Sequence, residues 1–210
     1  MTIFDLLFIF LFLATIITLL IIVINMLCGR KHTALRILRI LGGSLAAYFC
    51  VVVVVALAAP QKVLMPGQSR CFDEMCFTVT NVKIAPTIGR KPPITKAEGV
   101  FYLVTIQISC HGHGRAQSEG GVGASLIDAK GYTYEVSSAG QHAYEAESRG
   151  NPPLTTRVAP GENVSSVQVF DVPVKASEVA LHIGHSGPGL FIIGDDESPL
   201  HKPTIIRLQP

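Results

Sequence analysis

Three features of this sequence predict a transmembrane α-helical hairpin of two spans followed by an all-β immunoglobulin-like sandwich. Two uncharged stretches, Leu6 to Gly29 and Ile40 to Gln61, are each long enough to cross a hydrocarbon core of about 30 Å as a helix. The linker between them carries Arg30, Lys31, Arg36 and Arg39 as its only charges. After Pro60 the apolar pattern changes from continuous to period two, with Gly and Pro punctuating short runs. The chain therefore divides into residues 1–62, a hairpin with a basic linker at 30–39, and residues 63–210, a polar β domain.

Charge separates the same two parts. Residues 1–62 hold five basic residues against one acid, Asp5, whereas the remainder holds 12 Lys and Arg against 14 Asp and Glu. The net charge of +2 is thus a topology signal and not a nucleic-acid footprint, and no basic run interleaved with aromatics follows Val63. Lys and Arg flanking a span stay cytoplasmic, so the linker is expected inside, with Met1 and the β domain outside. The first stretch is too long for a signal peptide and lacks a basic start. Ala56-Leu57-Ala58 fits a small-x-small cleavage pattern, so release of the domain after Ala58 stays open beside the plainer reading of a helix ending before Pro60.

Within the spans, Gly42/Ala46 and Gly43/Ala47 are small-xxx-small pairs suited to hairpin packing or dimerisation. Asn25 needs a hydrogen-bond partner in lipid, and Ser44, at a similar expected depth, is the candidate. Thr33 is the expected N-cap of a second helix that extends back through Arg36 and Arg39 into the interface.

The β domain is read strand by strand. In Gly99 to Cys110, Val100, Tyr102, Val104, Ile106, Ile108 and Cys110 share one parity, while Thr105, Gln107 and Ser109 take the other. Met75 to Ile84 changes parity between Val79 and Val82, which a β-bulge near Thr80-Asn81 reconciles. Leu126 to Tyr134 reads as two short strands around an Asp-Ala-Lys-Gly turn. Further strands are expected at Val164 to Phe170, Val179 to Ile183, Leu190 to Ile193 and Thr204 to Leu208, with no amphipathic helix.

Three segments, Phe101 to Ile108, Ser125 to Tyr134 and Val158 to Val164 leading into Val169-Phe-Asp-Val-Pro173, resemble the telokin-like, immunoglobulin-like bacterial family of unknown function. Its members are typically exported or membrane-anchored. The resemblance spans about residues 68–208; taken with the two apolar stretches and the basic linker, it leads to the expectation of a multi-pass protein of the bacterial cytoplasmic membrane with its N-terminus and C-terminal domain outside. It carries over no catalytic residue.

Cys71 and Cys76 flank an expected hairpin turn at Phe72 to Met75 and are expected to be bridged in an oxidising compartment. Cys110 is expected as a buried thiol, and Cys28 and Cys50 as membrane-helix cysteines. Four histidines, His111 and His113 with His182 and His185, are candidate Zn or Cu ligands if their loops meet, with His142 or His201 as further donors. Asp195-Asp196-Glu197 reads as a solvated turn. No Gly-x-Ser-x-Gly elbow, His-Glu-x-x-His or Walker-type phosphate loop is present.

These features favour a binding or assembly module that is not an enzyme and takes no cofactor. Its partners are then the lipid bilayer and a protein of the membrane or envelope. A metal-handling or redox protein, or an accessory subunit of a larger membrane complex, are the alternatives. Two long segments, His111 to Gly123 and Ala139 to Thr155, are expected as irregular interaction loops, with His142, Tyr144 and Arg149 as contact residues.

Overall fold

The computed structural model describes residues 3–89, 94–148, 150–185 and 202–208. Two compact units result, a helical hairpin and a β domain, and each is described by itself.

In the hairpin, α1 (Ile3–Leu27) and α2 (Lys31–Ala58) are both long and apolar enough to cross a membrane. The turn between them is a Schellman motif: the Arg30 N–H donates to the Asn25 carbonyl at 2.9 Å and the Gly29 N–H to the Met26 carbonyl at 3.1 Å. Gly29 has φ +74°, a left-handed conformation that glycine adopts without steric cost. α2 therefore starts at Lys31 after Arg30, and Thr33 lies inside the helix and is not its cap.

The helices meet along a seam of period 3 and 4. Leu11, Thr15, Thr18, Ile22 and Asn25 line it on α1; Ala34, Ile37, Leu41, Leu45, Tyr48, Val52 and Ala56 line it on α2. The polar members of the seam on α1 satisfy themselves within their own helix. Thr15, Thr18 and Asn25 donate to the carbonyls of Leu11, Ala14 and Ile21, four residues back, at 2.7, 2.7 and 2.8 Å. Asn25 thus meets its need through Ile21, and the expected partner Ser44 lies off the seam, exposed. The small pairs lie off the seam as well. A Cβ on Gly42 or Gly43 would meet nothing within 4 Å, so these glycines do not pack the hairpin.

The β domain is a sandwich. One sheet runs β1 (Val63–Leu64), β9 (Ile205–Arg207), β8 (Ala180–His185), β5 (Val122–Ile127), β6 (Thr133–Tyr134) in spatial order. The other runs β2 (Ser69–Phe72), β3 (Met75–Ile88), β4 (Thr95–Cys110), β7 (Asn163–Val172). β3 and β4 pair antiparallel with register shifts at Val79/Asn81 and Ala85/Thr87, the first being the bulge that the parity change predicts. The core forms where the inner faces meet: Phe77, Val79, Val104, Ile106, Ile108 and Phe170 oppose Leu126, Leu181, Ile183 and Ile206, all at most 1% exposed. Cys110 lies in this core, as its parity requires. The expected strand Leu190 to Ile193 and the acidic turn at 195–197 lie outside the described residues.

In the β domain one expectation is overturned in part. The first part of the segment Ala139 to Thr155 is not an irregular loop: α3 (Ser138–Glu147) occupies it, N-capped by Ser137, whose side chain accepts from the Gly140 N–H at 3.2 Å. The helix forms because the outer face of β4 and β7, with Phe101, Leu103, Val167 and Val169, is too apolar to face water; Ala143 and Tyr144 pack on it. Close approach is made by Gly140, where a Cβ would lie 2.7 Å from Val169 Cγ1 and 2.9 Å from Phe101 Cε1.

Gly140→Ala should therefore destabilise the domain by about 1–3 kcal/mol through overpacking, against the roughly 1 kcal/mol that helix propensity alone would add. Urea unfolding reads the sign. Cys71 and Cys76 face each other across the β2–β3 hairpin with Cα atoms 4.0 Å apart and are bridged. The loop they close is short, so Cys71→Ser should cost no more than about 2 kcal/mol and leave the domain folded.

Candidate functional site

Backbone pairing explains where the domain is open. β6 pairs with β5 only at Leu126↔Tyr134 and Ile127↔Thr133. The chain then leaves that sheet, and Val136 pairs with Phe170 of β7 in the other. Among the described residues, this crossover leaves the first four residues of β5, Val122 to Ser125, without a strand neighbour on that side. The Asp128 N–H donates to the Tyr132 carbonyl at 3.1 Å, and the Ala129 N–H bonds the Ser177 carbonyl, on the β8 side, at 3.1 Å. Alternation along an antiparallel ladder then turns the backbone groups of Val122 and Ala124 away from β8, toward the gap.

The gap is a groove of about 540 Å³, lined by Val122 to Ala124, Glu135, Val136, Gln141, Glu145, Asn151, Pro153 to Thr155 and Gln168. Residues from both segments singled out in the sequence meet here. Leu154, 6% exposed, joins the groove to the sandwich core. Among the described residues lining it, the charged side chains are the exposed Glu135 and Glu145; Glu145 Oε1 accepts from Gln141 Nε2 at 3.0 Å.

The opposite wall is sealed. Asn151 makes two bonds with the Val167 backbone, its Nδ2 donating at 2.8 Å and its Oδ1 accepting at 2.7 Å. Gln141 does the same one step along, donating to the Val167 carbonyl and accepting from the Val169 N–H, both at 3.0 Å. The Ser137 N–H fills the Val169 carbonyl at 2.8 Å. The β7 edge is thus capped at the residues bordering the groove, while the β5 edge is not.

The predicted contact residues fare differently. His142 is exposed on α3, but Tyr144 spends its ring on the sheet and is a packing residue. Arg149 and His201 lie outside the described residues. The candidate metal ligands are not brought together: among the described residues no three His, Cys, Asp or Glu side chains converge. His111 sits 3.3 Å from Ser109 Oγ, His182 Nδ1 donates to the Thr204 carbonyl at 3.0 Å, and His185 Nε2 lies 2.8 Å from Glu119 Oε1. His113 is exposed. Gln141, Asn151, Glu135 and Glu145 were missed; Ser137 ahead of a run rich in Ala, Gln and Glu was the available helix signal.

A second concavity, about 830 Å³, lies on the outer face of the five-stranded sheet beside Asp128, Glu178 and Arg207. Asp128 serves the turn there: Oδ1 accepts from the N–H groups of Lys130 and Tyr132 at 2.9 Å, and Oδ2 from the Tyr134 hydroxyl at 3.0 Å. Its donors are local to the hairpin, so this is turn chemistry.

No family model matches the sequence, and no curated protein matches it. Solved structures give weak likenesses. A conserved hypothetical protein from Bacillus anthracis is 15% identical with TM-score 0.46, over 58% of this chain and 88% of the other. An uncharacterised β-sandwich protein from Clostridium difficile 630 is 13% identical with TM-score 0.42, over 71% and 95%. A secreted protein of Mycobacterium tuberculosis, MPT63, is 14% identical with TM-score 0.42, over 61% and 93%. These neighbours are bacterial, and the Clostridium protein is itself described as a β-sandwich.

Desolvation raises the pKa of Asp128, but hydrogen bonds from Tyr132, Tyr134 and Lys130 outweigh it and hold the carboxyl below its usual 3.8. A carboxyl that titrates lower when folded stabilises the fold above its unfolded pKa, and this is lost as pH falls through the folded value. The wild type should therefore lose more stability than Asp128→Asn does on acidification from about pH 5 to about pH 2, and the variant should be the weaker at pH 7. Denaturant titrations at several pH values check both.

Proposed function

We propose that this chain is a membrane-anchored envelope protein whose immunoglobulin-like domain is an extracytoplasmic binding or assembly module. The observation that carries this reading is the groove, where two distant segments are held by α3 and by paired amides beside an open strand edge. Such an arrangement orders a concave surface without bringing a nucleophile and base together, which suits recognition. The basic linker supports a cytoplasmic turn, and hence a bacterial inner-membrane location with both termini outside. The Cys71–Cys76 bridge suits an oxidising compartment. An accessory subunit of a larger membrane complex would use the same surface.

The test uses the full chain in its native membrane. A photo-crosslinking residue at Thr155, exposed on the groove rim, should yield one discrete adduct with an envelope or membrane protein, and Glu145→Lys should reduce its yield several-fold. A crosslinker at Lys175, exposed and not among the residues lining the groove, should not give it. Equal labelling from both positions, or no adduct from Thr155, would contradict the reading. In otherwise cysteine-free chains, a cysteine at His32 should resist membrane-impermeant thiol reagents in spheroplasts, whereas one at Lys175 should react; the reverse pattern would overturn the location.

A further inference from the structure

The open edge of β5 has the properties of a docking strand, and the domain treats its two groove-side edges unequally. β7 is capped at Val167 and Val169 by Asn151, Gln141 and the Ser137 N–H, a blocking device that leaves an incoming strand nothing to bond. Among the described residues, Val122 and Ala124 have no such cap. Both residues belong to the core cluster and are 7% and 8% exposed, backbone included, so the backbone edge bordering the groove is fixed in extended form. A strand kept straight by its core contacts and its ladder to β8, yet unpaired on the other side, is pre-organised for strand addition.

We propose that an extended segment of a partner protein adds antiparallel to β5 where β6 leaves off, bonding the backbone of Val122 and Ala124, and that this segment carries a Lys or Arg. This rests on the binding-module reading and deepens it. The free edge from Val122 to Ser125 accommodates about three residues at roughly 3.3 Å each. Residues of one parity on the added strand face the apolar patch at Leu154. Those of the other parity face outward, where Glu135 and Glu145, the charged groups lining the groove among the described residues, favour a cation. Two carboxylates at the mouth also oppose pairing with a second copy, which would bring the same charges together.

The experiment selects random twelve-residue peptides displayed on phage against the full chain in nanodiscs, with empty nanodiscs as the counter-selection. Enriched peptides should be β-prone and contain Lys or Arg. Synthetic versions should slow amide exchange at Val122 and Ala124, and replacing their basic residue with Glu should weaken binding at least tenfold. Ala124→Pro removes the groove-facing donor without touching the β8 ladder and should likewise cost at least tenfold; Glu135→Lys/Glu145→Lys should invert the charge preference. Equal binding to Ala124→Pro, or no enrichment over empty discs, overturns the proposal, as does exchange protection of β5 that depends on the concentration of the chain alone. The native adduct from Thr155 separates the two claims. If it persists undiminished in Ala124→Pro, strand addition is wrong while the binding reading stands; if the wild type gives none, the binding reading itself fails.

Discussion

One constraint organises both parts of this protein: backbone polar groups must be paired wherever water is kept out. In the hairpin it is met within each helix, and even the polar seam residues Thr15, Thr18 and Asn25 turn back on carbonyls of their own helix. The turn at Gly29 closes the end of α1 with two further bonds. In the β domain the same need produces sheets, and at Val167 and Val169, where the last neighbour is missing, side-chain amides stand in for it. Val122 and Ala124 form the stretch bordering the groove where pairing stops, and the functional reading rests on that stretch.

Much of this was legible in the sequence because period is a direct consequence of geometry. The alternation from Val100 to Cys110 fixed which face of β4 enters the core, and the parity change after Val79 located a bulge. Asp128 and Gly131 marked their turn through chemistry confined to a few residues. Cys71 and Cys76 were spaced for a two-residue hairpin, and they face each other across one.

What stayed hidden depends on contacts distant in sequence. The run Ser138 to Glu147 is too short to fold alone, and α3 exists because Phe101 and Val169 need cover, which no local pattern announces. Tyr144, expected as a contact residue, is half-buried and packs its ring on that face. Asn151 and Gln141 look like ordinary loop and surface amides until β7 is placed beside them. Thr33 failed as a cap because the Schellman turn at Gly29 lets α2 begin earlier, and the small pairs at 42/46 and 43/47 failed as hairpin contacts because the seam follows Leu41, Leu45 and Tyr48.

Residue-resolved amide exchange on the full chain in nanodiscs tests the unequal treatment of the two edges most directly. The N–H groups of Val167 and Val169, held by Asn151 and Gln141, should exchange slowly, at rates set by opening of the domain, whereas that of Ala124 should exchange orders of magnitude faster although its side chain is buried. Protection of Ala124 equal to that of Val169, in dilute protein with no peptide present, would contradict the account.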